Sequence, residues 1–336
     1  MPKKSVDGGW DSVENDPGLG PQYAKDSPFA ARMRLHQSWY RARILGVPCG
    51  TGPNRNSSTF YGNMLRREDG ARGLNFLSPV IFDIAKRSVA KGKGAIEPFR
   101  LFHNMLSSQP MCFNLFAPLV DNLDLTTTLW RLVLPNEVNR VLRVLIEYAP
   151  QPPSDYLDDK TAFDAYVEYE RLNGELAFIG IETKLTEPFS SRRYDGPSYR
   201  RWMGSPGSPW RQGAGDRVAD ESHNQLWRDH LLAWAMLNHR CRPYERGLLM
   251  LVRHPGDRDC AAVVRGYRKL LREDDDTFID MPLDKLIGIG QRAPLADEWR
   301  QWLARFHLRY LDLDASEEAS QQLGGARGLG TGCMYD

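Results

Sequence analysis

Two apolar runs, AFDAYVEYE and ELAFIGIETKL, separated only by RLNG, restrict this chain's fold more than any other feature. Both read as strands, and Asn173-Gly174 marks a turn between them, because both residues tolerate positive φ. An antiparallel hairpin follows, and its register matters. A two-residue Asn-Gly loop pairs Leu172 with Glu175. Asp164 then sits opposite Thr183, on the other face from Glu182 and Lys184. A three-residue loop, Leu172-Asn173-Gly174 with Gly174 as a left-handed bulge, pairs Arg171 with Glu175 instead. That register puts Asp164 opposite Glu182 and on the same face as Lys184. The apolar pattern fits either register. The charges favour the second, since two carboxylates facing each other across buried strands, with a lysine beside them, repel and desolvate badly unless a cation holds them. In that register the three residues are better explained as a site than as packing.

The rest of the chain supplies the frame. Residues 1–26 are rich in Gly, Pro and Asp without periodicity and read as a mobile arm. Ser27-Pro28 looks like an N-cap followed by proline at the first helical position, ahead of FAARMRLHQSWYRARIL with its basic face. GTGPNRNSSTF reads as a loop and LNFLSPVIFDIAKRSVAKGKG as another helix, which makes 27–97 a helical N-terminal region. From Pro98, FRLFHNMLSSQPMCFNLFAPLV is apolar at helical spacing and interrupted by Pro110, so one broken helix or two abutting ones are expected. NRVLRVLIEYAP is a strand ahead of the hairpin. SHNQLWRDHLLAWAMLNHR is a helix opened by Ser222, RGLLMLVRHP a strand and RDCAAVVRGYRKLLRE a helix. In the last helix Trp299, Trp302, Leu303, Phe306 and Tyr310 form a stripe expected to be core. Residues 313–336 end in GGARGLGTGCMYD and read as a flexible tail. The central order is helix, three strands, helix, strand. This is an α/β arrangement whose sheet opens as an antiparallel meander and continues through a helical crossover.

Composition excludes several classes. With 41% hydrophobic and 26% charged residues over 336 positions, the chain is that of a globular protein. No apolar run approaches the roughly 20 residues of a transmembrane helix. The opening residues lack an apolar signal core, so a cytoplasmic setting is expected. Five scattered cysteines without a CxxC pair give no zinc site and suit a reducing compartment. The net charge of +1 does not single out nucleic acid, but the distribution is uneven.

Asp164, followed eighteen residues later by Glu182-Thr183-Lys184 at the end of a second strand, resembles the PD-(D/E)xK nuclease superfamily. That superfamily's restriction-endonuclease-like αβββαβ core has the order read above from Pro98 to about His254. GIETK followed by a helix carrying NQLWRDH looks most like a bacterial branch of it. The resemblance covers roughly the middle half of the chain, so 98–312 is expected to be the nuclease-like domain, with an insert at 186–221. TAFD departs from the pattern, having no proline before Asp164. A lone ExK is expected by chance about once in a chain this long. The preceding strand acid, the apolar strand, the turn and the element order give this one its weight. The competing Asp158-Asp159-Lys160 lies in a polar loop and reads as a solvated charge run.

The resemblance implies phosphodiester hydrolysis of DNA, RNA being the alternative, with Mg²⁺ as cofactor and Mn²⁺ as a substitute. Asp164, Glu182 and the backbone carbonyl of Thr183 are the implied metal ligands. Lys184 would orient the attacking water, with a pKa lowered by desolvation and the cation. Glu147, on the preceding strand, is either an additional ligand or a solvent-exposed strand-end acid. Gln225 either supports the active site or is, like Asn224, a polar residue of an ordinary first helical turn. Glu187 reads as a loop charge. Within the insert, the stretch SSRRYDGPSYRRWMGSPGSPWR carries Arg192, Arg193, Arg200, Arg201 and Arg211 against a single acid, Asp195. Tyr194, Tyr199, Trp202 and Trp210 are interleaved with them. Arginines that contact phosphate and aromatics that stack on bases make it a candidate DNA-binding surface. The bland alternative is a surface loop whose aromatics pack on the protein body. The histidines show no HxxxH or HxH spacing, Ser107-Ser108 has no GxSxG elbow, and GLGTG neither follows a strand nor opens a helix. Roles in defence, restriction or repair fit a nuclease. The rival is a catalytically silent module of the same fold that binds nucleic acid or assembles with a partner. On either reading the N-terminal helices are the expected surface for a homo-oligomer or a partner protein.

Overall fold

The computed structural model describes residues 18–92, 96–241 and 243–317. In chain order it begins with α1 (Pro28–Trp39), β1 (Cys49–Thr51), β2 (Phe60–Leu65) and α2 (Arg67–Ala71). Helices α3 (Pro79–Lys91), α4 (Pro98–His103), α5 (Ser108–Val120) and α6 (Leu123–Val133) follow. Then come β3 (Val138–Tyr148), β4 (Phe163–Arg171) and β5 (Leu176–Lys184). The remainder is α7 (Pro197–Met203), α8 (Gly215–Val218), α9 (Asn224–Leu237), β6 (Tyr244–Arg253), α10 (Arg258–Arg268), β7 (Phe278–Pro282), α11 (Leu283–Gln291) and α12 (Asp297–Tyr310). No helix among the described residues is long and apolar enough to cross a membrane.

Two compact units are present. One holds the residues up to 75 together with 99–106 and those from 305 on; the other holds 76–98 and 107–304. Each is interrupted in sequence, with boundaries after Asn75, Pro98, Leu106 and Ala304.

In the first unit, Ser27 caps α1 by accepting from the Ala30 amide at 3.3 Å, with Pro28 in the first turn. Residues 52–59 form the expected loop, but it joins two strands, the antiparallel hairpin β1–β2, rather than two helices. A strand of only three residues is too short to show an alternation, which is why periodicity misses it. Residues 18–26, expected to be mobile, are tied down. The buried Arg41 guanidinium donates to the carbonyls of Gly62 (2.7 Å), Val47 and Gly18, and the Gly62 amide donates to Pro21. Leu313 and Ser316 are likewise buried rather than part of a free tail; the glycine-rich end and residues 1–17 lie outside the described residues.

The second unit is built on one mixed sheet of order β3-β4-β5-β6-β7, antiparallel from β3 to β5 and parallel from β5 to β7. The parallel β5–β6 step requires a crossover, supplied through α9. This is the αβββαβ order read from the sequence, extended by α10 and β7. Every residue of β5 after Leu176 is buried, as are Leu248 to Val252 of β6, which explains why both read as continuous apolar runs. The broken helix breaks before Pro110, not at it. α4 ends at His103, Ser107 caps α5, and Pro110 falls in the first turn of α5, where its missing N–H costs no helical bond. His223, not Ser222, precedes α9. The insert, read as a loop, contains α7 and α8.

The hairpin register is that of the three-residue loop. Arg171 donates its amide to Glu175 at 2.8 Å, the Gly174 amide returns to the Arg171 carbonyl at 2.9 Å, and Gly174 has φ of 86°. The ladder runs from Glu170↔Leu176 to Ala165↔Ile181.

Candidate active site

One step beyond Ala165↔Ile181 the residue count sets Asp164 level with Glu182. On the other side, Ile146↔Ala165 and Tyr148↔Phe163 set Glu147 level with Asp164. Three carboxylates therefore come abreast on three neighbouring strands. Glu147 has φ of 55°, a left-handed backbone within a strand. For a residue with a Cβ that conformation costs on the order of 1–3 kcal/mol, and such strain gathers at functional sites.

Asp164 is half-buried at the point where regular pairing ends. Its Oδ2 accepts from the Thr183 amide (2.8 Å) and from Thr183 Oγ1 (2.6 Å). Thr183 thus offers N–H and hydroxyl to Asp164 itself. Burial raises the Asp164 pKa well above the ordinary value, and the charges of Glu182 and Glu147 raise it further, against the lowering by Thr183.

Glu182 and Lys184 project from alternate positions of β5 and are both buried. Lys184 Nζ lies 3.1 Å from Glu182 Oε1 and donates to Gln225 Oε1 at 3.1 Å. Gln225 Nε2 donates to Glu182 Oε1 at 2.6 Å, which closes the triangle. Gln225 Oε1 also accepts the Ser190 amide at 2.8 Å, so this one residue of α9 fixes the lysine, the acid and the start of the insert. The Phe189 ring covers the ammonium, with its centroid 5.0 Å away. Attraction at 3.1 Å is worth about 5 kcal/mol at an effective dielectric constant of about 20. Desolvation costs several kcal/mol per ion, so the pair contributes little net stability. Burial pulls the Lys184 pKa down, but Glu182, Glu187 and Asp164 outweigh it, and the net direction is upward. The acids nearest the ammonium set that direction, and the lowering expected beside a bound cation belongs to the metal-loaded site.

Two further residues enlarge the cluster. Glu187, expected to be a loop charge, accepts the Ser108 amide at 2.8 Å and so anchors the loop after β5 to the N-terminus of α5. Asp229, which sequence reasoning passed over, lies one turn after Gln225 on α9 and is buried. Its Oδ2 has no hydrogen-bond partner among the described residues, and its Oδ1 is 3.8 Å from Arg228 Nε. Burial, followed by the charge of Glu182, pushes its pKa up to about 8 against the pull of Arg228 and Lys184. An i, i+4 polar pair, Gln225 and Asp229, was the available signal, blurred by Arg228 and His230 on either side of Asp229.

The donors present suit a hard divalent cation. Asp164 Oδ1 and Glu182 Oε2 take no hydrogen bond among the described residues, so one oxygen of each acid is left over. Among the described residues no three His, Cys, Asp or Glu side chains form a complete metal-binding group, so a cation here would draw on backbone, water or substrate oxygens as well.

The insert divides. Trp202 is buried, with Nε1 donating to the Tyr156 carbonyl at 2.7 Å, so its ring is not a stacking platform for bases; it packs with the core of α9. Trp210 and Tyr199 are buried in the same way. Arg193 and Arg211 are exposed but donate to the Ala219 (3.0 Å) and Leu271 (2.6 Å) carbonyls, and Arg200 pairs with Asp195. Arg192 is exposed, and Arg201 is exposed with its guanidinium 4.6 Å from the centroid of the Trp202 ring. Asn224 clamps the insert, accepting the Tyr194 amide and donating to its carbonyl, both at 2.9 Å.

A family model described as PD-(D/E)XK nuclease superfamily matches residues 24–312. No curated protein and no solved structure matches the chain. With a match over most of its length and an αβββαβ core, the chain belongs to the PD-(D/E)XK nuclease superfamily.

Proposed function

We propose that the chain is a metal-dependent deoxyribonuclease with Asp164, Glu182, Lys184 and Gln225 at its centre. The supporting observation is the triangle of Glu182, Lys184 and Gln225 beside Asp164, with one oxygen of each acid unbonded. Asp164, Glu182 and the Thr183 carbonyl would hold Mg²⁺ or Mn²⁺, with Glu147 as the further acid. The ion, when bound, supplies a water of lowered pKa and neutralises charge on the phosphate. Lys184, held by Glu182 and Gln225, stands ready to donate a hydrogen bond to the nucleophile or to the phosphate oxygens. Gln225 fixes its direction, and Asp229 adds a buried acid behind them. Arg192 and Arg201 are the insert arginines most open to phosphate, with Arg193, Arg200 and Arg211 alongside. A role in restriction, foreign-DNA defence or repair is compatible with that chemistry.

The test is cleavage of plasmid DNA with Mg²⁺ or Mn²⁺. Glu182→Ala and Lys184→Ala should each lower the rate by at least about 10²–10³, the cost of removing one preorganised charged group, in protein that circular dichroism shows to be folded at the assay temperature, although each melts earlier for leaving its partner charge buried alone. Wild-type rates in both variants would sink the assignment. The silent-module alternative predicts DNA binding with no calorimetric signal for Mn²⁺.

A further inference from the structure

A cleft of about 1020 Å³ runs along the outer strand β3, lined by consecutive residues from Val144 to Ala149 and walled by α3 and the loop after Gln151. It is at the upper limit of small-molecule pockets, about 300–1,000 Å³, so it has room for more than a mononucleotide. One of its lining residues is Glu147, level with Asp164, so the cleft adjoins the carboxylate set.

Its chemistry is two-layered. Ile84, Val144, Ile146 and Tyr148 give it apolar surface, while Arg87, Lys91 and Lys160 stand exposed in its lining. Three acids also line it. Asp121 sits 3.5 Å from Arg87 in an exposed pair, and Asp159 is taken up by Thr161 and Tyr199. Glu147 belongs with the carboxylate set. Lys91 and Lys160 have no carboxylate partner among the described residues, so the unspent charge away from the acids is positive.

A duplex meets a protein with phosphates and groove edges and has little use for an apolar floor. An unpaired strand exposes base faces as well as phosphates, and matches apolar surface beside cations. A peptide adding to the edge of β3 would need an extended backbone, which the left-handed φ at Glu147 interrupts. We propose that this cleft seats an unpaired nucleic-acid strand and leads it to the carboxylates, so that the preferred substrate is single-stranded or frayed at an end. The proposal rests on the nuclease reading for its second half only.

Fluorescence anisotropy of the full chain in EDTA, with labelled poly(dT) and the same strand annealed to poly(dA), tests the cleft without turnover. The single strand should bind about ten-fold or more tightly than the duplex, the worth of one or two stacked bases. Lys91→Glu with Lys160→Glu, and the neutral Lys91→Gln with Lys160→Gln, should erase that margin with an unchanged thermal melt. Equal or tighter duplex binding overturns the proposal. So does unchanged poly(dT) affinity in both double variants, or no affinity for poly(dT) at all, the outcome for a cleft that takes a peptide. Single-strand binding of the expected kind without cleavage in Mg²⁺ or Mn²⁺ would overturn the nuclease reading alone and leave the cleft assigned.

Discussion

Two buried titratable residues of the second unit carry opposite pH signatures. Asp229 has its pKa pushed up to about 8, so the folded state binds a proton that the unfolded chain releases near 3.8. Its contribution to stability is full below the unfolded value and is lost as pH rises through about 8. His230 is buried, bonded to Tyr267 (3.0 Å) and Thr277 (2.8 Å), and its pKa falls to about 3. Its contribution is present above 6.5 and is lost as pH falls toward 3. Melting temperature in EDTA should therefore drop on both sides, and Asp229→Asn should flatten the alkaline side while leaving the acid side. An unchanged alkaline slope would show that Asp229 is not the group responsible. Gln225→Ala removes the link between Glu182 and Lys184, and should lower kcat by about 10–10²-fold with little change in substrate affinity, as for a group that orients others. Single-turnover kinetics would separate the two. Gln225 was legible in the sequence because it follows the motif strand on the next helix. Asp229 was not, since a carboxylate in a helix reads as surface until burial is known.

At the scale of elements, the hairpin decides the site. A change of one residue in loop length moves Asp164 from one partner to the next along β5, because strand faces alternate. Gly174 holds the three-residue loop with φ of 86°, and among the described residues no atom beyond its own chain neighbours lies within 4 Å of where its Cβ would be, so only backbone strain penalises a side chain. Gly174→Ala should destabilise by about 1–2 kcal/mol, whereas Gly174→Asn, which tolerates left-handed φ, should cost less. Urea midpoints would rank the two variants, and equal losses would contradict a strain argument. The hairpin strands and β6 were legible because burial on both faces leaves an uninterrupted apolar run. The β1–β2 hairpin and β7 escaped because they are short. Helix α6 escaped although it carries a Leu/Trp stripe of its own.

For the whole molecule, the net charge of +1 says little about nucleic acid, and the local distribution matters more. Of the five arginines from Arg192 to Arg211, Arg192 and Arg201 bond no carboxylate or carbonyl among the described residues, so they are the ones with most to give to phosphate. Arg192→Ala with Arg201→Ala should weaken DNA binding without changing sequence preference, and should reduce the salt slope by about one per lost phosphate contact. A titration across ionic strength measures this; an unchanged slope would place the insert away from the DNA. Trp202, which looked interchangeable with these residues in sequence, is separated from them by burial alone.

The sequence by itself determined the core order of helix, three strands, helix and strand and the ExK motif, and it favoured the three-residue turn, because periodicity, turn chemistry and charge in an apolar run are local properties of the chain. Tertiary structure decided which neighbours those charges meet. Asp164 turns to Thr183, Lys184 is drawn up by three carboxylates, Glu187 anchors a helix, and Asp229 joins the cluster from α9. It also sent the insert's tryptophans inward and left two of its arginines outside. Those outcomes depend on desolvation and on contacts between residues far apart in the chain, which no local pattern encodes.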